Sequence, residues 1–391
     1  MTKKDLSGFR PETKLALAGR DHDRSEGAVN PAVHRASTLI IPEVEGLYGD
    51  AKRTYALDGM AIHEALKEAL IAVEGGAGVT LSSSGLMACV LPILAFARDK
   101  AEVLMVDSVY GPTRRFAGRM LKRLGIKTRY YDPMIGAGIG DLITEKTCAV
   151  FMESPGSLTF EVQDVPAIVA AAQAREVPTI IDNTWSAGVY FKPFEHGVDV
   201  SIQALTKYQA GHSDLLMGAT LSRTHETAEK IRWAAKEMGV GTGPDDAYLA
   251  LRGMRTMAAR LAQQSASALR IAEWLKARPE VARVLHPAFA DCPGHANWKR
   301  DFSGASGLFA FVLRAVDEKA VTRMLEGYCV MAMGFSWGGF ESLITPSDLS
   351  LQRTAVPWRA EGPLIRLSVG LEHPDDLIGD LEAGFGRLAG A

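Results

Sequence analysis

Two short stretches of this sequence set a carboxylate and an amine at equivalent points. The apolar run Thr179-Ile180-Ile181 passes directly into Asp182-Asn183-Thr184-Trp185, and the run Val200 to Leu205 ends at Thr206-Lys207-Tyr208, followed by Gly211-His212-Ser213-Asp214. Singly, these read equally well as a capping aspartate and a solvated lysine. In this order and spacing they suit a site that forms a covalent imine. A partly desolvated lysine loses its proton readily, and a buried aspartate keeps a ring nitrogen protonated. Ser82-Ser83-Ser84-Gly85-Leu86 is a turn of small residues opening a helix, whose amino end favours a phosphate; by itself it is equally a plain serine cap. Tyr110, just past the run ending at Asp107, offers an aromatic face to a planar ring.

The surrounding pattern explains how such residues could meet. Short apolar runs at 103–106, 149–152 and 179–181 alternate with helical stretches at 114–124 and 166–175. That alternation predicts a mostly parallel sheet covered on both faces, with ligands beyond the carboxyl ends of its strands. Apolar spacing from Ile62 to Val73, ended by Gly75-Gly76, predicts a helix, and Leu86 to Ala97 reads as a buried one. Residues 1–58 resemble an extended arm able to reach a neighbouring subunit. Residues 59–245 form the expected large domain and residues 246–391 a smaller α/β domain, with one long helix over 247–276 and a strand over 307–313.

Composition narrows the function. A chain of 391 residues exceeds the usual single core, and 47% hydrophobic with 23% charged residues describes an ordinary globular protein. The formal net charge of −3 lacks the positive field of a nucleic-acid binder. Four scattered cysteines, Cys89, Cys148, Cys292 and Cys329, suggest neither a disulfide framework nor a zinc site and fit a reducing cytoplasm. No secretory signal or membrane span is read at the amino end or along the chain. His225-Glu226-Thr227-Ala228-Glu229 and His63-Glu64-Ala65-Leu66-Lys67 both lack the second histidine of a zinc motif and read as charged helix faces. His212 reads as a structural residue of its turn.

These residues resemble the Cys/Met-metabolism family of enzymes dependent on pyridoxal 5'-phosphate, of the type I aminotransferase fold. The likeness runs nearly end to end, through Ala18-Gly19-Arg20-Asp21, Gly27-Ala28-Val29-Asn30-Pro31, Glu74-Gly75-Gly76, Glu153-Ser154-Pro155-Gly156-Ser157, the Asp182 and Lys207 segments, Ser336-Trp337-Gly338-Gly339 and Leu364-Ile365-Arg366-Leu367. Within the family it is to the β-lyase branch, whose members split cystathionine into homocysteine, pyruvate and ammonia. The resemblance implies that Lys207 carries the cofactor, Asp182 holds its ring nitrogen and Tyr110 stacks on the ring. The phosphate cradle would comprise Ser84, Gly85, Leu86 and Thr206. Arg366 would grip the substrate α-carboxylate beside Ser336 and Trp337, and Trp337 is typical of the β-lyase branch. Tyr110 and Tyr55 would be binding residues first and candidate catalytic helpers, since a phenol near the positively charged cofactor imine could have a lowered pKa. A homotetramer built from two active-site dimers is implied as well.

One motif departs. The family has Tyr-x-Arg, both side chains reaching the cofactor phosphate of the neighbouring subunit, whereas this sequence reads Tyr55-Ala56-Leu57-Asp58. Arg53 or Lys52 is the expected substitute for the missing charge, with reliance on backbone amides as the alternative. Other outcomes remain open from the sequence. One is a different family reaction, such as a γ-lyase, a γ-synthase or a cysteine-S-conjugate β-lyase with cysteine desulfhydrase activity. The other is a non-catalytic interaction protein that keeps the fold.

Overall fold

The computed structural model describes residues 5–21, 25–48, 53–349 and 353–390. Its larger layer is a seven-stranded sheet of β1 (Gly78–Ser82), β2 (Glu102–Val106), β3 (Lys127–Tyr131), β4 (Thr147–Glu153), β5 (Thr179–Asp182), β6 (Val200–Gln203) and β7 (Gly218–Ser222), in spatial order β1-β7-β6-β5-β4-β2-β3. Strands β2 to β6 pair in parallel, and β7 runs antiparallel between β6 and β1. The middle strands are buried on both faces and carry few polar side chains, as a doubly covered sheet requires. The helices Ala61–Glu74 and Val165–Gln173 lie where the apolar spacing sets them. Gly85–Phe96 is a buried helix despite Pro92, and the helix from Gly111 to Phe116 continues as a π turn over Ala117–Leu121.

A second, smaller sheet follows: β8 (Val281–Leu285), β9 (Leu308–Leu313), β10 (Leu343–Ser347) and β11 (Leu364–Ser368), antiparallel throughout in the order β10-β11-β9-β8. This is the α/β architecture expected from the sequence. The long helix expected over 247–276 is two helices instead, Pro244–Met254 and Met257–Lys276. Gly253, in the last turn of the first helix, packs closely on the strand-end turn: an added Cβ would stand 2.2 Å from the Ala210 carbonyl oxygen. Arg260 Nη2 donates to the buried Gly253 carbonyl at 2.8 Å, and Arg255 Nη1 donates to the Leu15 and Ala18 carbonyls. The second of these helices begins in the core of the large sheet, with Met257 and Leu261, and ends in that of the small one, with Ile271 and Leu275.

His63 departs from the expected charged face. It is buried, its Nδ1 accepts from Met60 N at 2.9 Å, and its Nε2 therefore donates to the Thr242 carbonyl at 3.0 Å. Burial pushes its pKa down, so it caps the helix as a neutral ring. His225 opens the helix His225–Glu237 just after the Thr224 cap. Among the described residues no cluster of His, Cys, Asp or Glu is placed to hold a metal, and no helix is long and apolar enough to cross a membrane.

Asp107, at the end of β2, latches the segment after residue 352 onto the large sheet. Its carboxylate accepts from the backbone amides of Thr354, Ala355 and Val356 and from Arg114 Nη1 at 2.9 Å. Burial alone would raise its pKa, but the amides of Val356 and Thr354, with Arg114 and the Ala355 amide, pull it below the usual 3.8. Removing one partner of a buried pair leaves the other charge unpaired. Asp107→Ala is therefore expected to lose about 3–5 kcal/mol, read as a lower urea midpoint. Because the folded carboxyl titrates below 3.8, this stability is present above that pH and fades as pH falls through the folded value. An unchanged midpoint would show that the latch contributes nothing.

Candidate active site

The carboxyl ends of β4, β5 and β6 open into a cavity of about 660 Å³ lined by Ser84, Gly85, Leu86, Tyr110, Asp182, Thr206, Lys207, Trp337 and Arg366, among others. The strand-end aspartate and lysine and the serine turn thus meet in one place. Gly85 makes the approach possible: an added Cβ would stand 2.6 Å from Ala204 Cβ, so the amino end of the helix Gly85–Phe96 sits directly on the turn that presents Lys207. Ser84 Oγ accepts from Met87 N at 3.2 Å, leaving the first-turn amides of Gly85 and Leu86 ahead of the helical ladder.

Asp182 is held by one oxygen. Its Oδ1 accepts from Thr184 N at 3.0 Å and Thr184 Oγ1 at 2.6 Å, while Oδ2 has the Cys89 thiol at 3.6 Å. Burial raises its pKa, opposed by the Thr184 bonds, Cys89 and Lys207. Lys207 Nζ donates to Ser336 Oγ at 2.9 Å and lies 5.2 Å from the centre of the Trp337 ring. Burial, and secondarily the Arg366 charge, lowers its pKa to about 8. Arg366, on β11, uses Nη2 on the carbonyls of Gly334 and Ser336, both at 3.0 Å, whereas its buried Nε has no hydrogen-bond partner. Gly338 allows the small-domain loop to close, with a φ of +83° and an added Cβ only 3.2 Å from Tyr208 N.

A lowered pKa alone would not single out Lys207. Burial also brings Lys192 to about 8, against the opposing charge of Glu74, but its Nζ is spent on the carbonyls of Val73 and Gly188. Only Lys207 of the two lines the cavity.

Other expectations fare differently. Thr206 Oγ1 lines the cavity, yet it exchanges hydrogen bonds with Met217 N and O, so donating to a phosphate requires it to release that carbonyl. The Tyr110 phenol is not lowered by its protein surroundings; burial and then Cys89, Glu153 and Asp182 raise it, against a smaller opposing effect of Arg115. Tyr55 is 55% exposed, bridges to Thr38 and lies outside this cavity of its own chain. Arg53 pairs with Glu64 at 3.6 Å, Asp58 with Lys236 at 3.5 Å, and Leu57 lies against Gly241. Lys52 falls outside the described residues. His212 serves its turn, with Nδ1 2.6 Å from the Ala210 carbonyl.

Sequence reasoning missed Glu153, Cys89, Leu216, Phe335 and Arg115 as lining residues. Glu153 ends β4 as Asp182 ends β5, so the same strand-end rule could have found it. Burial, and then the Asp182 charge, push its pKa well above the usual carboxylate range, while its Oε2 accepts from Tyr110 N at 2.6 Å.

The parts fit pyridoxal phosphate: the first-turn amides of Gly85 and Leu86 at a helix end, a buried carboxylate whose Oδ2 meets only a thiol, a lysine poised to lose its proton, and an orphaned arginine nitrogen. In cofactor-free protein, Lys207 is expected to react with an amine-specific reagent with a midpoint near pH 8, measured by peptide mass spectrometry across pH. Reaction rises with pH because the neutral amine is the nucleophile. A midpoint at the ordinary 10.5 would contradict the desolvated placement.

Comparison with known proteins agrees with this geometry. The chain matches the description "Cys/Met metabolism PLP-dependent enzyme" over residues 12–386. It is 47% identical over 378 residues to a Rhizobium johnstonii protein, covering 95% of each chain. It is 43% identical over 389 residues to a cystathionine beta-lyase of Escherichia coli, covering 96% of this chain and 98% of the relative. The structure of cystathionine gamma synthase from Xanthomonas oryzae, in complex with aminoacrylate and cysteine, superposes with a TM-score of 0.89 at 30% identity, covering 98% of this chain and 99% of that one. The chain belongs to the family of Cys/Met metabolism enzymes that depend on pyridoxal phosphate.

Proposed function

We propose that this enzyme is a carbon–sulfur β-lyase that converts L-cystathionine and water to L-homocysteine, pyruvate and ammonia. The observation that carries the reading is the position of the Lys207 amine, set between the Asp182 carboxylate and the arginine fork of Arg366 in one cavity, with Trp337 beside it. The name of the Escherichia coli relative supports the choice of substrate.

In this reading Gly85, Leu86, Ser84 and Thr206 hold the cofactor phosphate, Asp182 the ring nitrogen, and Tyr110 the ring face. Pyridoxal phosphate, when bound, supplies an electron sink for negative charge at the substrate Cα. Arg366 takes the α-carboxylate, its free Nε matching one oxygen of a two-pronged contact, and Ser336 lies beside it. Lys207 Nζ removes the Cα proton as general base and returns a proton to the departing sulfur as the Cβ–S bond breaks, the electron pair leaving with sulfur. Its pKa of about 8 is close enough to neutrality to serve both roles. Tyr110 and Tyr55 serve as binding residues and as candidate proton carriers.

The chain is further proposed to work in the cytoplasm, in sulfur amino-acid metabolism that includes methionine biosynthesis, as a homotetramer of two active-site dimers. Supporting the assembly, the described arm exposes large apolar side chains, Ile40 at 91% and Tyr48 at 90%, that a lone chain leaves in water. All four cysteines are free thiols, as a reducing compartment allows.

Wild-type protein supplied with pyridoxal phosphate and L-cystathionine is expected to release pyruvate and homocysteine in equal amounts. Lys207→Ala should slow this by about a thousandfold, the order contributed by a general acid–base group. Lysine-dependent 2-oxobutyrate with cysteine would move the reaction to γ-elimination. No turnover by the wild type would require another substrate.

A further inference from the structure

The groups around the expected seat of the substrate α-carboxylate hang on one loop of the small domain, residues 334–341. Its Ser336 Oγ accepts from Lys207 Nζ at 2.9 Å, and its carbonyls at Gly334 and Ser336 each hold Arg366 Nη2 at 3.0 Å. Trp337 of the same loop lines the cavity. The aim of Arg366 therefore depends on where this loop stands relative to Lys207, which belongs to the large domain.

Two contacts fix the loop within its own domain. Gln264 Nε2 donates to the Gly339 carbonyl at 2.7 Å, and Gly338 N donates to Ser368 Oγ at 3.3 Å. Neither reaches the large domain. The contact between Ser336 and Lys207 does, but it is made to the reacting amine itself. One polar contact crosses between the domains without using that amine: Ser213 Oγ donates to Glu341 Oε1 at 2.5 Å. Ser213 lies in the segment Gly211-His212-Ser213-Asp214, whose first amide donates to the Lys207 carbonyl at 2.8 Å. The link thus runs from the lysine's own turn to the loop that aims Arg366.

The local geometry is built around this link. Ser213 has a φ of +57°, in the left-handed region that residues other than glycine seldom occupy. Gly339 is the residue that lets the two side chains meet, since an added Cβ would stand 2.3 Å from Ser213 Oγ and 2.4 Å from Glu341 Oε2. Glu341 Oε2 is buried without a hydrogen-bond partner, so the bond from Ser213 is the one its carboxylate makes among the described residues. Glu341 is not among the residues lining the cavity.

We infer that Glu341 is a positioning residue for recognition of the substrate α-carboxylate. With Ser213 it pins the loop 334–341 to the turn of Lys207, and the pinned carbonyls of Gly334 and Ser336 aim the Arg366 fork. Glu341 acts through the loop and touches neither the reacting atoms nor the cofactor. The inference rests on the assignment of the α-carboxylate to Arg366 and is independent of which thioether the enzyme cleaves.

The test uses holoenzyme and two ligands that carry no leaving group at Cβ, L-alanine and ethylamine, which is alanine without its carboxylate. Binding of each is followed by the absorbance change of the bound cofactor in the wild type, Glu341→Ala, Glu341→Gln, Ser213→Ala, the double variant Ser213→Ala/Glu341→Ala, and Arg366→Gln. Glu341→Ala and Ser213→Ala are each expected to weaken L-alanine about tenfold, the order of a lost hydrogen bond to a charged group, and to leave ethylamine unchanged. The double variant is expected to lose no more than Glu341→Ala alone, because both changes remove one contact. Glu341→Gln still accepts from Ser213 and should keep most of the affinity. Unchanged L-alanine binding in both single variants overturns the inference, as does an equal loss for L-alanine and ethylamine, which marks a general disturbance of the fold. Should Glu341→Ala fail to fold, Ser213→Ala, which removes one exposed hydroxyl, decides by itself. If Arg366→Gln weakens both ligands equally or neither, it is the assignment of the α-carboxylate to Arg366 that fails.

Discussion

The hydroxyl of Thr184 ties the acid of this site to its amine. Its Oγ1 donates to Asp182 Oδ1 at 2.6 Å and accepts from Ala204 N at 2.9 Å, so one group fixes both the end of β5 and the turn leaving β6. Beyond Ala204 the chain reverses, with Lys207 N bonded to the Ala204 carbonyl and Gly211 N to the Lys207 carbonyl. The carboxylate is thus oriented by the same contact that orients the lysine. Because the bond uses only Oδ1, Oδ2 stays directed to the cavity with a thiol for company. The adjoining network, in which buried Glu74 accepts from Asn183, Ser201 and Gln203, braces the residues immediately around this pair. A buried polar network so fully satisfied favours a single arrangement.

The small domain completes the site from the other side. Lys207 reaches Ser336, Trp337 packs edge-on against Tyr208 at 5.4 Å, and Gly307 N donates to the Tyr208 hydroxyl. These contacts bring Arg366 over the strand ends although it sits in the middle of an antiparallel strand, paired with Thr345 and Ala310. The helix Met257–Lys276, shared by both cores, and the Asp107 latch keep the two sheets in register around the cavity. Desolvation is the chemical result. The same enclosure that lowers Lys207 raises Glu153, so neighbouring groups are driven toward neutrality and protons can be exchanged inside the site.

Much of this was legible in the sequence because the sheet obeys a local rule. Asp182 and Lys207 follow short apolar runs, and those runs are the parallel strands whose carboxyl ends face ligands. Glu153 obeys the rule too, ending β4 opposite Asp182 on β5. Arg366 could be assigned by resemblance alone, since nothing in its local pattern points to a cavity built by distant elements. The break after Met254 and the burial of His63 were not legible, because the contacts around them, Arg255 with the Leu15 and Ala18 carbonyls and His63 with Thr242, are tertiary. Burial, and then neighbouring groups that include carboxyls from two other strands, raise the Tyr110 phenol in the protein alone. Tyr55 is exposed and lies outside the cavity of its own chain.

The central claim is that Lys207, and not the equally desolvated Lys192, holds the cofactor. Protein loaded with pyridoxal phosphate, reduced with borohydride and digested, would report the attachment site directly by peptide mass spectrometry. The account predicts the phosphopyridoxyl label on Lys207. Label on Lys192, or its retention at another lysine after Lys207→Ala to the same extent as in the wild type, would contradict it.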